Sequence, residues 1–270
     1  MKKIFFVCVI FSLLFSAQSY ARVDIIPRKI VMDSRDRSAE ITILNLFDKE
    51  GTFRIDVVYN RQNEDGTYTV IETPLSDDFD AGKIVRFSPR QFTLPSQGRQ
   101  KIRLSLRKPA DLPAGEYRFH VKALRFAELD GGTAPKQSGM GISMKMNVGV
   151  SIPVVVRHGD TQQAEAKITK PRLVSLGESG RPELQMTIER TGQQSSIGSL
   201  GATWEPDGYD QVDRIGYIEN MNIFPEISYR DVAVPLKYIP KGKGAIRLRY
   251  IDNATKSTTG TVLDELILDK

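Results

Sequence analysis

Residues 142–156 show the longest regular alternation of apolar side chains in the chain. Apolar residues occupy every second position, and Val155 is the only one of this class at an intervening position. The alternating positions are Ile142, Met144, Met146, Val148, Val150, Ile152, Val154 and Val156. Because side chains i and i+2 of a β-strand lie on the same face, this pattern predicts one long strand with a continuous apolar face. Strands usually have about five or six residues, so this one is long enough to extend beyond its sheet or to pair with two partners.

Shorter runs of the same kind predict strands along the rest of the chain, and no segment keeps a helical apolar period over three turns. Before residue 142 the predicted strands are Val23–Met32, Ala39–Leu46, Phe53–Tyr59, Tyr68–Glu72, Ile84–Leu94, Lys101–Leu106 and Tyr117–Phe126. After residue 163 they are Ala164–Val174, Leu184–Glu189, Leu200–Trp204, Arg214–Glu219, Val232–Leu236, Ala245–Ile251 and Val262–Leu268. Short strands separated by turn residues at this spacing favour an all-β fold of two tandem immunoglobulin-like β-sandwiches.

The polar segment 158–163 separates the two series of strands and lacks any apolar period. Segments of this kind connect domains, so we place a hinge near residue 158. The sequence predicts an N-terminal immunoglobulin-like domain over residues 22–157 and a C-terminal β-sandwich domain over residues 158–270.

The first 21 residues have the three parts of a secretory signal peptide. Lys2 and Lys3 are basic, Ile4–Phe15 is apolar, and Ser19–Ala21 is a cleavage site with small residues at its ends. We therefore expect export and a mature chain that begins near Arg22. The single cysteine, Cys8, lies inside this segment, so no disulfide is expected in the mature protein.

Residues that support catalysis or metal binding are scarce. The chain has one cysteine and two histidines, His120 and His158, without ligand spacing or a nucleophile motif. We expect His120 to lie on the outer face of its strand and His158 to be a solvated linker residue. The formal net charge is +5. The sequence has no stripe of basic and aromatic residues, and this absence disfavours nucleic-acid binding. We predict no enzymatic activity, no metal site and no cofactor.

Six segments of the chain show a family pattern: Leu94–Arg107, Asp111–Val121, Pro27–Ile30 and Glu40–Asn45 in the first half, and Arg190–Gly198 and Arg249–Asp252 in the second. These segments resemble the periplasmic chaperones of the chaperone–usher pathway, which assembles pili and fimbriae. The resemblance is strongest in the first domain and extends over nearly the whole mature chain.

This resemblance implies that the chain binds pilin-like subunits in the periplasm and delivers them to an outer-membrane usher. Such subunits are sandwiches that lack one strand, and the chaperone fills the gap with a strand of its own, which is known as strand addition. The resemblance assigns Ile142, Met144, Met146 and Val148 to the donated part of the strand. The later apolar positions, Val150 to Val156, would then face the chaperone's own core.

The resemblance also implies two polar sites. Members of the family hold the subunit's terminal carboxylate between an arginine and a lysine. The arginine position corresponds to Lys29, with Arg28 beside it, but the lysine position is Pro153, which departs from the family pattern. The second implied site is an ionic triad that fixes the angle between the domains, formed by Glu116, Arg157 and Asp252.

Other interpretations of the sequence stay open. In the first, all eight alternating apolar side chains serve only the protein's own core. In the second, the chain is a structural subunit or adhesin of a surface organelle, which would be a single incomplete domain. In the third, it is a secreted enzyme or carbohydrate-binding module. The last class needs an aromatic platform or an acid pair, and Trp204 is the only tryptophan. Self-association of the unliganded chain is a further possibility, because exposed strand edges pair readily.

Overall fold

The computed structural model describes residues 22–74, 80–126, 147–253 and 260–270. Its described part contains seventeen strands, one short 3-10 helix and no α-helix. The predicted all-β class is therefore confirmed. The predicted signal peptide lies outside the described residues, as do positions 142–146 of the predicted long strand.

Ten strands build the first β-sandwich, in two sheets. They are β1 (Val23–Ile26), β2 (Ile30–Met32), β3 (Ser38–Asn45), β4 (Gly51–Gln62), β5 (Tyr68–Ile71), β6 (Val85–Ser88), β7 (Gln91–Leu94), β8 (Arg99–Leu106), β9 (Gly115–Arg125) and β10 (Val148–His158). One sheet has the order β1-β3-β8-β6, and the other has the order β2-β10-β9-β4-β5 with β7 also paired to β4. The 3-10 helix, Ala81–Ile84, precedes β6.

Seven strands build the second β-sandwich. They are β11 (Glu165–Val174), β12 (Glu183–Thr191), β13 (Ser196–Pro206), β14 (Asp213–Ile223), β15 (Tyr229–Pro235), β16 (Gly244–Asp252) and β17 (Thr261–Asp269). They form a sheet of order β11-β12-β15 and a sheet of order β14-β13-β16-β17. Each sandwich encloses its own hydrophobic core, one centred on side chains such as Ile43 and Phe119 and the other on side chains such as Leu200 and Leu248.

In the first half, two segments that were each predicted as one strand are divided into two strands in the structure. The segment Val23–Met32 is two strands, because β1 pairs with β3 in one sheet whereas β2 pairs with β10 in the other. Pro27 lies between them and cannot donate a backbone hydrogen bond to either ladder. The segment Ile84–Leu94 is likewise divided, because β6 pairs with β8 and β7 with β4.

A hairpin turn at Glu64–Thr67 joins β4 to β5. Asn63 N–H donates to the Thr67 carbonyl at 2.9 Å. Gly66 has φ +83°, a left-handed conformation that glycine adopts without the steric cost of a Cβ atom. This hairpin extends from the first sandwich towards the second, where Asp231 N–H donates to the Glu64 carbonyl at 2.8 Å.

Candidate functional site

β10 has two halves with different neighbours. It pairs antiparallel with β9 along its whole length, from Val148 opposite Arg125 to His158 opposite Gly115. On its other side, β2 pairs only with Val154–Val156. Among the described residues, positions 148–153 therefore have a neighbouring strand on one side only. We call this stretch the open edge; its outer backbone groups are available to pair with another strand.

The side chains of β10 follow the predicted alternation. Ile152, Val154 and Val156 are buried in the first core, and Val150 is partly buried against it. Val148, at the start of the strand, is half-buried. The other three predicted donor residues, Ile142, Met144 and Met146, lie outside the described residues. The described strand thus changes from core-facing to partly exposed towards the predicted donor segment.

Lys29 lies beside the open edge. Since Ile30 pairs with Val154, continuing the register by one residue places Lys29 next to Pro153. The Lys29 Nζ atom is buried, and no described residue lies within hydrogen-bonding distance of it. Burial lowers the pKa of this ammonium group, and the carboxylate of Asp252 in the second sandwich partly opposes that shift. A buried ammonium without a hydrogen-bond acceptor is favourable to an incoming anion.

Arg28, the other predicted anchor residue, points elsewhere. Its side chain is 65% exposed, and its Nη2 atom lies 3.3 Å from Asp24 Oδ2. The structure therefore does not bring Arg28 and Lys29 together as one pocket.

Glu116 and Arg157 form an ion pair between neighbouring strands. The Arg157 Nε atom lies 3.2 Å from Glu116 Oε2, and the Glu116 side chain is only 1% exposed. Both side chains also reach Ser195 of the second sandwich: Ser195 N–H donates to Glu116 at 2.9 Å, and Arg157 donates to the Ser195 carbonyl at 3.2 Å. Asp252, the third member of the predicted triad, ends β16, and its charge acts on Lys29.

The expected exposure of His120 was wrong. It lies on the strand face opposite Tyr117, Phe119 and Val121, as the alternation predicts, but it is only 2% exposed. The Tyr68 ring lies edge-on to it at 5.6 Å. Burial, reinforced by the nearby Arg118 charge, lowers the pKa of His120 to about 3. His158 is half-buried rather than fully solvated.

Sequence reasoning missed a set of polar contacts between the two sandwiches. Gln62 and Arg118 of the first sandwich contact residues around Phe224 and Glu226 of the second. Arg118 alternates with apolar residues along β9, and Gln62 ends β4 after the polar residues Asn60 and Arg61; both patterns also describe a solvent-facing side. Alternation alone therefore cannot indicate that a second domain covers that side.

Neither a candidate metal site nor a membrane-spanning helix is found among the residues that the structure describes. Within those ranges, no group of three histidine, cysteine or acidic residues could hold a metal ion. Within the same ranges, no helix is long and apolar enough to cross a bilayer.

Comparisons with known proteins gave structural matches only. No family model matches the chain, and no curated protein does. The chain resembles solved fimbrial chaperones. The E. coli chaperone DraB is 12% identical with a TM-score of 0.46, and the match covers 90% of this chain and 95% of that one.

Two further matches come from solved complexes. A chain from the complex of the Salmonella enterica SafA pilin with the SafB chaperone is 13% identical with a TM-score of 0.43, covering 94% of this chain and 99% of that one. A chain from the CsuC–CsuE chaperone–tip subunit complex of Acinetobacter baumannii is 12% identical with a TM-score of 0.40, covering 92% and 98%.

Proposed function

We propose that this protein is a periplasmic chaperone that binds incomplete pilus-like subunits by adding a β-strand to them and passes them to an outer-membrane usher. The open edge of β10 is the observation that carries this proposal. Its outer backbone groups pair with no strand of the described residues, and the adjoining sequence continues the same apolar alternation to Ile142. Strand addition needs these two features together.

The apolar side chains supply the binding free energy. Full burial of one such side chain is worth about 1.5–3 kcal/mol, so four donor residues would contribute roughly 6–12 kcal/mol before costs. The loss of translational, rotational and side-chain freedom on binding reduces that sum. Methionines at positions 144 and 146 suit grooves of different shape, since their side chains are unbranched and flexible.

Lys29 supports a second contact with the subunit. Its buried ammonium group lies beside the open edge and has no hydrogen-bond acceptor among the described residues. A terminal carboxylate of the subunit would provide one and would restore the pKa that burial lowers. A single lysine can supply this contact as a point charge, although it lacks the two-pronged geometry of arginine. Pro153 adds no charge, so Lys29 would act without the family's lysine.

The role requires export but no chemical reaction. We assign the protein to the periplasm from the signal-peptide pattern of residues 1–21. Binding by strand addition uses backbone hydrogen bonds and apolar contacts, and it needs neither a nucleophile nor a cofactor.

Recovery of partners from the periplasm of the native host tests the proposal. The tagged chain is compared with the double variant Met144→Glu/Met146→Glu and with the control Ser143→Glu/Lys145→Glu, whose new charges the sequence alternation predicts on the opposite strand face. We expect the wild-type chain and the control to retain the same subunit partners. The methionine variant should recover them at least tenfold less, because two carboxylates cannot enter an apolar groove without a large desolvation cost.

Equal recovery by all three proteins, or loss in the control as well as in the methionine variant, would contradict donation through the apolar face. Circular dichroism of each purified protein shows whether the variants keep the wild-type fold.

A further inference from the structure

Gln62 forms a two-way hydrogen-bonded connection between the sandwiches. It ends β4 and is only 1% exposed. Its Nε2 atom donates to the Asn222 carbonyl at 2.8 Å, and its Oε1 atom accepts from Phe224 N–H at 2.9 Å. The amide thus pairs with the backbone of the second sandwich as a neighbouring strand would. A buried glutamine so placed is satisfied only while the two sandwiches keep this relative position.

Arg118 forms the second connection. Its side chain is 4% exposed and makes an ion pair with Glu226. The guanidinium carbon lies 3.7 Å from the centre of the Phe224 ring, which is the geometry of a cation–π contact. The same group donates to the Asn60 carbonyl at 2.9 Å, within the first sandwich. Glu226 also accepts from Gln62 N–H at 2.9 Å, so the two connections share an acceptor.

Apolar and aromatic side chains surround these polar groups. Val31 and Val155 of the first sandwich pack with Ile197 and Phe224 of the second as a separate hydrophobic cluster. Tyr68, on the hairpin strand β5, places its ring 6.5 Å from that of Phe224. Exclusion of water strengthens the hydrogen bonds inside this contact and makes breaking them costly.

These contacts extend from the hinge side to the β4–β5 hairpin: Arg118 lies on β9 two residues from Glu116, whereas Gln62 and Tyr68 belong to the hairpin. On the hinge side, the chain crosses between the sandwiches at residues 159–164, close to the Glu116–Arg157–Ser195 contacts. One attachment alone leaves the sandwiches free to rotate about it, as is the usual expectation for domains joined by a polar linker. Attachment of the β4–β5 hairpin, through Gln62, Tyr68 and the Glu64 carbonyl that accepts from Asp231 N–H, opposes that rotation.

We propose that Gln62, Tyr68 and Arg118, together with Asn222, Phe224 and Glu226, form an interdomain latch that holds the two sandwiches at one angle. In this account they are positioning residues, and Glu116 and Arg157 fix only the hinge side. The latch acts whatever the chain binds, so this inference does not depend on the proposed function.

Distances between two spin labels measure the interdomain angle directly. Labels are attached at Lys101→Cys and Lys237→Cys, whose native side chains are 77% and 63% exposed. The full chain carries Cys8→Ser, which removes its only native cysteine. We expect one narrow distance distribution with the latch intact and at least a twofold increase in its width in Arg118→Leu and in Gln62→Leu.

Arg125→Leu is the matched control. Arg125 lies on the same strand as Arg118, stacks on the Phe47 ring at 4.4 Å and donates to the Glu50 carbonyl at 2.8 Å, but these partners belong to the first sandwich. We expect this variant to keep the narrow distribution.

Two outcomes overturn the latch: a wild-type width in both latch variants, or equal broadening in Arg125→Leu. Near-ultraviolet circular dichroism identifies any variant that does not fold. If Arg118→Leu does not fold, Gln62→Leu, which retains most of the side-chain volume, decides the result.

Discussion

The two halves of β10 show how one sequence pattern can serve two purposes. Residues 148–153 and Val154–Val156 continue the same alternation and pair with the same strand, β9. Only the second half also pairs with β2, which has three residues. The alternation therefore identifies the face that is apolar, whereas the length of the neighbouring strand determines which half is sealed. We expect the sealed half to maintain the fold and the open half to bind.

The largest effect is expected in the sealed half. Val154 is fully buried between the two sheets of the first sandwich. Val154→Asp should lower the free energy of unfolding by about 3–5 kcal/mol, because it buries a carboxylate without a partner. Urea denaturation measures this change. A loss below about 1 kcal/mol would contradict the burial of Val154 in the first core.

A substitution of Lys29, beside the open edge, should affect folding stability and subunit binding in different ways. In Lys29→Met we expect the free chain to be as stable as the wild type or more so, since the substitution removes a buried ammonium group that no described residue accepts a hydrogen bond from. Subunit binding should weaken by roughly 10- to 100-fold, which corresponds to the loss of a charged hydrogen bond of about 1.5–3 kcal/mol.

Arg28→Met is the matched control for this prediction, because Arg28 is exposed and pairs with Asp24. Titration with a purified subunit gives the affinities. Similar losses in both variants would indicate a general effect of positive charge rather than a specific contact.

His120, which lies opposite Pro153 in the β9–β10 ladder, makes stability depend on pH. Its pKa of about 3 in the folded state is below the usual value near 6.5 in an unfolded chain. Between these values the unfolded chain binds a proton that the folded chain does not, so stability falls as the pH falls. Between pH 7 and pH 5 this contribution is about 2 kcal/mol. Urea denaturation of the wild type and of His120→Gln at both pH values measures it; an equal loss in both proteins would refute the assignment.

The smallest effect on stability is expected in the open half. Val148 is half-buried and lies outside the core cluster. Val148→Asp should change the free energy of unfolding by less than about 1 kcal/mol, and it should still weaken subunit binding. A stability loss as large as that of Val154→Asp would show that residue 148 belongs to the protein's own core.

The strands of the second half could be predicted from the sequence because apolar alternation and turn residues occur together there. All seven predicted strands are present, with ends that differ by a few residues. In the first half, the division at Pro27 was missed because an alternating run does not show in which sheet each part pairs. The missing backbone donor of proline was the available signal.

The contacts between the sandwiches could not be predicted in the same way. Along β9, five consecutive residues from Tyr117 to Val121 are buried, because one strand face lies on the first core, while on the other face Arg118 packs on the second sandwich and the Tyr68 ring covers His120. Arg118 and His120 occupy this other face, and His120 was expected to be exposed there. Burial of such residues depends on how two folded units pack, and local periodicity carries no information about that packing.

Hydrogen exchange of backbone amides is the most direct test of strand addition. Exchange rates along β10 are compared between the free chain and the chain co-purified with its subunit. We predict slower exchange in the complex at those amides of residues 148–153 that point away from β9, and unchanged exchange at Val154–Val156, which already pair on both sides. Unchanged exchange across residues 148–153 in a complex that stays bound would contradict strand addition at this edge.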